Sequence, residues 1–308
     1  MKNRNLYIFA LLPFVIGVIF GSIFDYQIDV ALYLDPHVNV FGLIFSAFMP
    51  MISYSFFALL SGMSLHFFFE EKKTLKKIIL IAITIVFYGV ATYFAQDKIL
   101  STNAFGIFDG LEKYSWACWL GTGIVEAIFV FLGFRCGKKN NDIKLLYAGL
   151  VFSVAILFSL VPFSQLLKIL MRRPRFRSIG VIEGAVFKNW WESFKSEYDV
   201  IKANHIESIS EEFKSFPSGH TGEAAILMFY LPYLTKLDKN IKKMEILMFI
   251  FGISFTLLMG FSRMTMGAHY LSDVCMGALF TSIFSVIANE INLKYFYPKE
   301  DKEIQTEN

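Results

Sequence analysis

Two histidines, three separated cations and a carboxylate stand out from an otherwise apolar chain. Lys168 and Arg175 are seven residues apart in LKILMRRPRFR, Pro217-Ser218-Gly219-His220 opens a long apolar run, and Ser262-Arg263 is followed by His269 and Asp273 in SRMTMGAHYLSDVCMGALF. A packed core or a lipid-facing helix has no use for the last trio. The four-residue spacing of His269 and Asp273 stacks them on one helix face, where a carboxylate can orient an imidazole. Proline followed by small residues at a helix start leaves backbone N–H groups free, which favours an anion there. Lys168 and Arg175 would share a face if their helix persisted, but Pro174 predicts that it ends nearby. Guanidinium forks suit phosphate oxygens, and each charge-assisted hydrogen bond is worth about 1.5–3 kcal/mol. The simplest ligand is a phosphate group, with one histidine attacking phosphorus while the other protonates the leaving oxygen.

Those residues are carried by an all-α, polytopic membrane helix bundle. The 308 residues are 55% hydrophobic and only 18% charged, against about 25% charged in an average soluble domain. A span needs about 20 apolar residues, and eight candidates follow, at 6–24, 41–69, 78–95, 117–135, 145–170, 219–235, 245–261 and 271–292. The basic N-terminal run is too long for a signal peptide and lacks a cleavage site, so it is read as the first span. The second holds Pro50, which predicts a kink, and the fourth is interrupted by Glu126. Basic residues cluster in the N-terminal MKNRN, at 70–77, at 135–144 and at 236–245, whereas 25–40 carries three aspartates and no Lys or Arg. Eight spans put every basic cluster on one side, so both termini are expected to be cytoplasmic. The end of span five, the loop 171–219 and the hairpin before span eight then share the opposite face. The expected division is residues 1–140 as N-terminal spans, 141–295 as the catalytic core and 296–308 as a cytoplasmic tail. The net charge of +3 is too small to imply a nucleic-acid partner, and nothing in the sequence sets the number of subunits.

Taken together, the three stretches resemble the type 2 phosphatidic acid phosphatase superfamily, which includes lipid phosphate phosphatases, glucose-6-phosphatase, bacterial acid phosphatases and the vanadium-dependent haloperoxidases. Its signature is K-x6-R-P, then P-S-G-H, then S-R-x5-H-x3-D. The second and third parts are complete here, and the first departs only in having Phe176 where the family usually has proline. The resemblance implies that His269 is a nucleophile forming a phosphohistidine, that Asp273 holds its ring, and that His220 is the general acid and later the base for water. It implies further that Lys168, Arg175, Arg263, Ser218 and the Gly219 backbone cradle the phosphate, without metal or cofactor. In the smaller members three spans precede the first motif; here there are five, so the N-terminal region reads as an elaboration.

A lipid phosphate monoester or a polyprenyl pyrophosphate is the expected substrate, taken at the non-cytoplasmic face of the cell membrane. A sugar phosphatase, a lipid-linked phosphotransferase and a phosphate-binding transporter are the alternatives, and a transporter would bind near the midplane and often show internal repeats. Arg172 and Arg177 read as snorkelling interface anchors. His37, His66 and His205 lack a matching context and read as surface or interfacial. Glu126 is an intramembrane carboxylate with no partner named by the sequence, and Glu223 is a first-turn carboxylate at the site's rim. Trp190 and Trp191 are either headgroup-level anchors or a pocket wall. Cys118, Cys136 and Cys275 read as core residues. The loop 171–219 should hold helices of its own and act as a lid.

Overall fold

In lipid every backbone N–H and C=O must be satisfied within the protein, and apolar runs of this length achieve that as helices. The computed structural model describes residues 8, 11–34, 39–101, 111–204 and 209–296, which are all-helical with no strand among them. His37, His205 and the tail from 297 lie outside the described residues.

Among the described residues, seven helical segments are long and apolar enough to cross a membrane. They are α1 (Leu12–Leu32), α2 with α3 (Val40–Ala47 and Met49–Glu70), α4 (Thr74–Ser101), α5 (Ser115–Asn140), α6 continuing into α7 (Ile143–Phe158 and Ser164–Met171), α11 (Glu245–Thr265) and α12 (Leu271–Tyr295). The loop between Met171 and Gly219 carries α8 (Lys195–Ala203), on a small core of Ala185, Phe194, Tyr198, Ile201 and Phe213. Large apolar side chains such as Ile19, Ile23, Ile85, Ile128 and Phe131 point outward from α1, α4 and α5, as lipid contact requires.

Four elements differ from their sequence-based outlines. The run 219–235 is not one helix but α9 (Gly219–Ala225) and α10 (Leu227–Leu237), buried at every residue from Thr221 to Tyr230. The chain tightens at Ile226, whose N–H reaches the Glu223 carbonyl at 3.2 Å, and Pro232 cannot supply the N–H that the next turn needs. The first helix runs on to Leu32 through Asp25 and Asp29, both buried, where a loop had been expected. Between α6 and α7, Pro162 sits in a π-helical turn, Ser159–Phe163. The bend expected at Pro50 falls at Phe48, one residue before α3.

α3 is the axis of the N-terminal bundle, and glycines let α5 touch it backbone to backbone. A Cβ on Gly62 would lie 1.9 Å from the Val130 carbonyl oxygen, and one on Gly133 would lie 1.9 Å from that of Leu59. Neither oxygen can yield without moving a helix. Gly133→Leu should therefore destabilise the folded protein by about 1–3 kcal/mol, read as a lowered Tm in detergent. Gly121→Leu, where nothing lies within 4 Å, should leave Tm unchanged; equal effects at the two positions would contradict this packing.

Candidate active site

The chain brings Lys168, Arg175, His220, Arg263 and His269 to the wall of one cavity of about 630 Å³. Lys168 lies in the last turn of α7, whose direction is reset by the π turn upstream. Arg172 then adopts a left-handed conformation (φ 48°) and ends the helix. Arg175 follows in extended chain, with its backbone N–H on the Glu212 carbonyl at 2.9 Å. Arg263 closes α11 and donates to Ser46 Oγ of α2, while its Nε has no hydrogen-bond partner among the described residues. His220 stands in the first turn of α9, its Nε2 likewise unpartnered among the described residues. A Cβ on Gly219 would sit 3.3 Å from Lys168 Nζ, so the bare backbone of the P-S-G-H stretch faces that ammonium.

His269 is held differently from the expected arrangement. Gly267 turns the chain with φ 58°, and the imidazole then lies between α11 and α12 rather than on either. Its Nδ1 is 2.6 Å from the Ser215 carbonyl oxygen. A carbonyl can only accept, so Nδ1 carries the proton and the lone pair is left on Nε2. Asp273 does not touch the ring. Its carboxylate accepts from Ser215 Oγ, from the Tyr270 backbone N–H at 3.0 Å and from Arg173. The four-residue spacing fails because α12 starts at Leu271, so His269 is outside the helix whose periodicity would pair it with Asp273. Asp273 is therefore linked to His269 only through Ser215 among the described hydrogen bonds.

Ser218 also departs from expectation. Its hydroxyl caps α9 beside Thr221, at 3.0 Å from Thr221 Oγ1, and is not among the residues lining the cavity. Phe176, in the place of the family's proline, packs on the rings of Tyr26 and Tyr33 at 5.7 and 5.5 Å, and so docks this stretch on α1.

Further residues, some of them read differently from the sequence, complete the wall. Lys98, near the end of α4, forms an ion pair with Glu223 at 2.8 Å, so Glu223 does reach the pocket. Lys214 pairs with Glu211 at 2.6 Å. Arg177 grips Glu212 through two bonds of 2.9 and 2.6 Å and lines the cavity instead of snorkelling; Arg172 stacks over Tyr198 at 4.3 Å. Burial alone would raise the Glu212 carboxyl, but Arg177, Arg175 and the Ser178 hydroxyl hold it down at about 2. Leu100, Leu157, Leu160, Val161, Tyr93 and Phe94 form an apolar flank beside the charges.

Other singled-out residues lie elsewhere. Trp190 donates to Ser22 Oγ at 2.9 Å and stacks on Phe216, bracing α1 against the loop, while Trp191 is half exposed. His66 is buried between α3 and α5 rather than at the surface. Glu126 is buried away from the cavity, and neither oxygen has a hydrogen-bond partner among the described residues.

The cavity and the basic loops occupy opposite ends of the bundle. α4 begins beside Lys72 and Lys73 and ends at the cavity wall, and the α9–α10 run begins at the cavity and ends near Lys236.

The family model of the PAP2 superfamily matches residues 144–295, from the start of α6 through the end of α12, so this segment is similar to that superfamily. Its members generally hydrolyse phosphate esters. No curated protein and no solved structure shows significant similarity to the chain.

Burial, then the charges of Arg175, Arg263 and Lys168, push the His269 ring well below its ordinary value of 6.5. Its neutral form should then persist in the folded protein below the pH at which an exposed histidine is half protonated. The unfolded chain binds that proton and the folded one does not, so this group's contribution to stability is complete above 6.5 and declines as pH falls toward the folded value. A ¹⁵N titration of histidine-labelled protein in detergent should find the His269 ring neutral at pH 6; a ring half protonated at 6.5 would contradict this environment.

Proposed function

We propose that the protein is an integral membrane phosphatase that cleaves phosphate monoesters of lipids, or a polyprenyl pyrophosphate, through a phosphohistidine on His269. The observation that carries the reading is the single cavity shared by Lys168, Arg175, Arg263, His220 and His269, with the His269 lone pair fixed on Nε2 by the Ser215 carbonyl.

His269 Nε2 attacks phosphorus as the P–O bond to the leaving alcohol, or to the leaving phosphate of a pyrophosphate, breaks. His220 enters this step as the imidazolium, held protonated by the negative charge of the bound phosphate, and passes its proton to the departing oxygen. Water then loses a proton to His220 as its oxygen attacks phosphorus, the P–N bond breaks, and inorganic phosphate leaves with both histidines restored. Lys168, Arg175 and Arg263 meet the charge that builds on the phosphoryl oxygens. Preorganised charges of this kind in a partly dry site provide the stabilisation that a metal ion gives elsewhere.

The apolar flank of Leu157, Leu160, Val161 and Phe94 supports a lipid in preference to a free sugar phosphate. Positive charge at the far end of the bundle supports a site at the non-cytoplasmic face.

Detergent-dispersed phosphatidic acid should release phosphate at a rate that chelators do not change, and faster than glucose 6-phosphate does. His269→Ala should abolish turnover, and native protein quenched in alkaline detergent should carry an acid-labile, base-stable phosphohistidine. A tenth of native activity in His269→Ala would refute its role. Lys168→Ala should lower kcat/KM about 100-fold, measured on the same lipid.

A further inference from the structure

α1 lies outside the segment that the superfamily model matches, yet one of its carboxylates reaches the groups that hold His269. The link is Arg173, which is fully buried. Its Nη2 donates to Asp25 Oδ2 at 2.8 Å, its Nη1 to Asp273 Oδ1 and to Ser272 Oγ at 2.9 Å, and its Nε to the Lys188 carbonyl at 2.8 Å. The guanidinium lies over the Tyr270 ring at 4.1 Å, with Phe187 at 5.5 Å. Asp25 holds the start of α12 as well, accepting from the Ser272 backbone N–H at 2.9 Å and from the Ser272 hydroxyl.

An unbroken chain of contacts follows. Asp25 fixes one arm of Arg173, and the other arm fixes Asp273. Asp273 takes the Ser215 hydroxyl, and the Ser215 carbonyl takes His269 Nδ1–H. Burying two carboxylates and a guanidinium costs several kcal/mol that apolar packing would not, so stability is a poor reason for this cluster. A planar guanidinium that gives one arm to each of two carboxylates does fix distances and angles.

We infer that Asp25 and Arg173 are positioning residues for His269, so that the N-terminal helix is a working part of the catalytic apparatus and not only an added span. The inference rests on the phosphatase reading above. Replacing Asp25 by Asn keeps the volume but turns an amide N–H₂ or a neutral oxygen toward donors on Arg173 and Ser272. The guanidinium then shifts toward Asp273, and Ser215 follows. The cradle of Lys168, Arg175 and Arg263 is reached through none of these contacts. Substrate binding and nucleophile alignment should therefore separate.

The experiment uses the full-length protein in detergent with short-chain phosphatidic acid as substrate and inorganic phosphate as competitive inhibitor, all rates taken per folded molecule. Asp25→Asn should lower kcat about 10- to 100-fold, with KM and the phosphate Ki within about twofold of native. Arg173→Lys should retain more kcat than Arg173→Gln, because an ammonium still bridges two carboxylates. Ser272→Ala keeps every charge and serves where the bolder variants fold poorly; it should lower kcat about fivefold. In ¹⁵N spectra His269 should show the single Nδ1–H tautomer in native protein and a mixture in Asp25→Asn. Unchanged kcat in Asp25→Asn and Ser272→Ala, or kcat, KM and Ki moving together with the loss of folded protein, would overturn the inference. His269→Asn separates the two ideas. If it stays active, the phosphohistidine reading fails and the inference with it; if it is inactive while Asp25→Asn matches native, only the inference fails.

Discussion

The Asp273 carboxylate is where the chain's distant parts are tied together. One oxygen takes the Arg173 guanidinium; the other takes the Ser215 hydroxyl and the Tyr270 backbone N–H. The backbone carbonyl of the same residue accepts from the Ser218 N–H at 3.0 Å, two residues ahead of His220. The stretch after α7, the loop into α9 and the start of α12 thus meet at one buried carboxylate. Each carries part of the constellation, and none is near another in sequence. A buried charge without partners would be expensive, so the fold that buries Asp273 must also bring these partners in.

Electrostatics set a second condition. Lys168, Arg175 and Arg263 face one cavity, and like charges between buried walls repel more strongly than in open water. Carboxylates of neighbouring elements moderate them: Glu223 with Lys98, Glu211 with Lys214, and Glu212 with Arg177. Lys98 belongs to α4, so the N-terminal bundle supplies a wall of the cavity as well as a support for it. The apolar flank on the same cavity sets hydrocarbon side chains directly beside these charges.

Much of this could be read from the sequence because it depended on spacing and hydropathy. The apolar runs located seven of the eight spans as helices, and the cations and histidines that share the cavity came from three short stretches. Lys168 and Arg175 were legible as a pair although the helix ends between them, since the extended chain after Arg172 still carries Arg175 to the same wall. What stayed hidden depended on partners far along the chain. Asp25 looked like a loop residue because an unpaired carboxylate would not survive in a membrane helix, and its partner is 148 positions away. In RRPR nothing local tells which arginine faces the cavity; the fold gives Arg173 to the carboxylates and Arg175 to the pocket. The pairing of His269 with Asp273 was misread by applying helical periodicity one turn too early. The break at Ile226 leaves hydropathy unchanged, so no window average could reveal it.

The wide turn at Ser159–Phe163 has a consequence for how this chain could change over time. A π turn is an ordinary helix that has accepted one extra residue, and each residue advances a helix by about 100°. Removing that residue would restore a regular ladder while swinging Lys168 about a quarter-turn away from its neighbours on the wall. The number of residues in this segment, more than the identity of its lipid-facing side chains, therefore sets where Lys168 points.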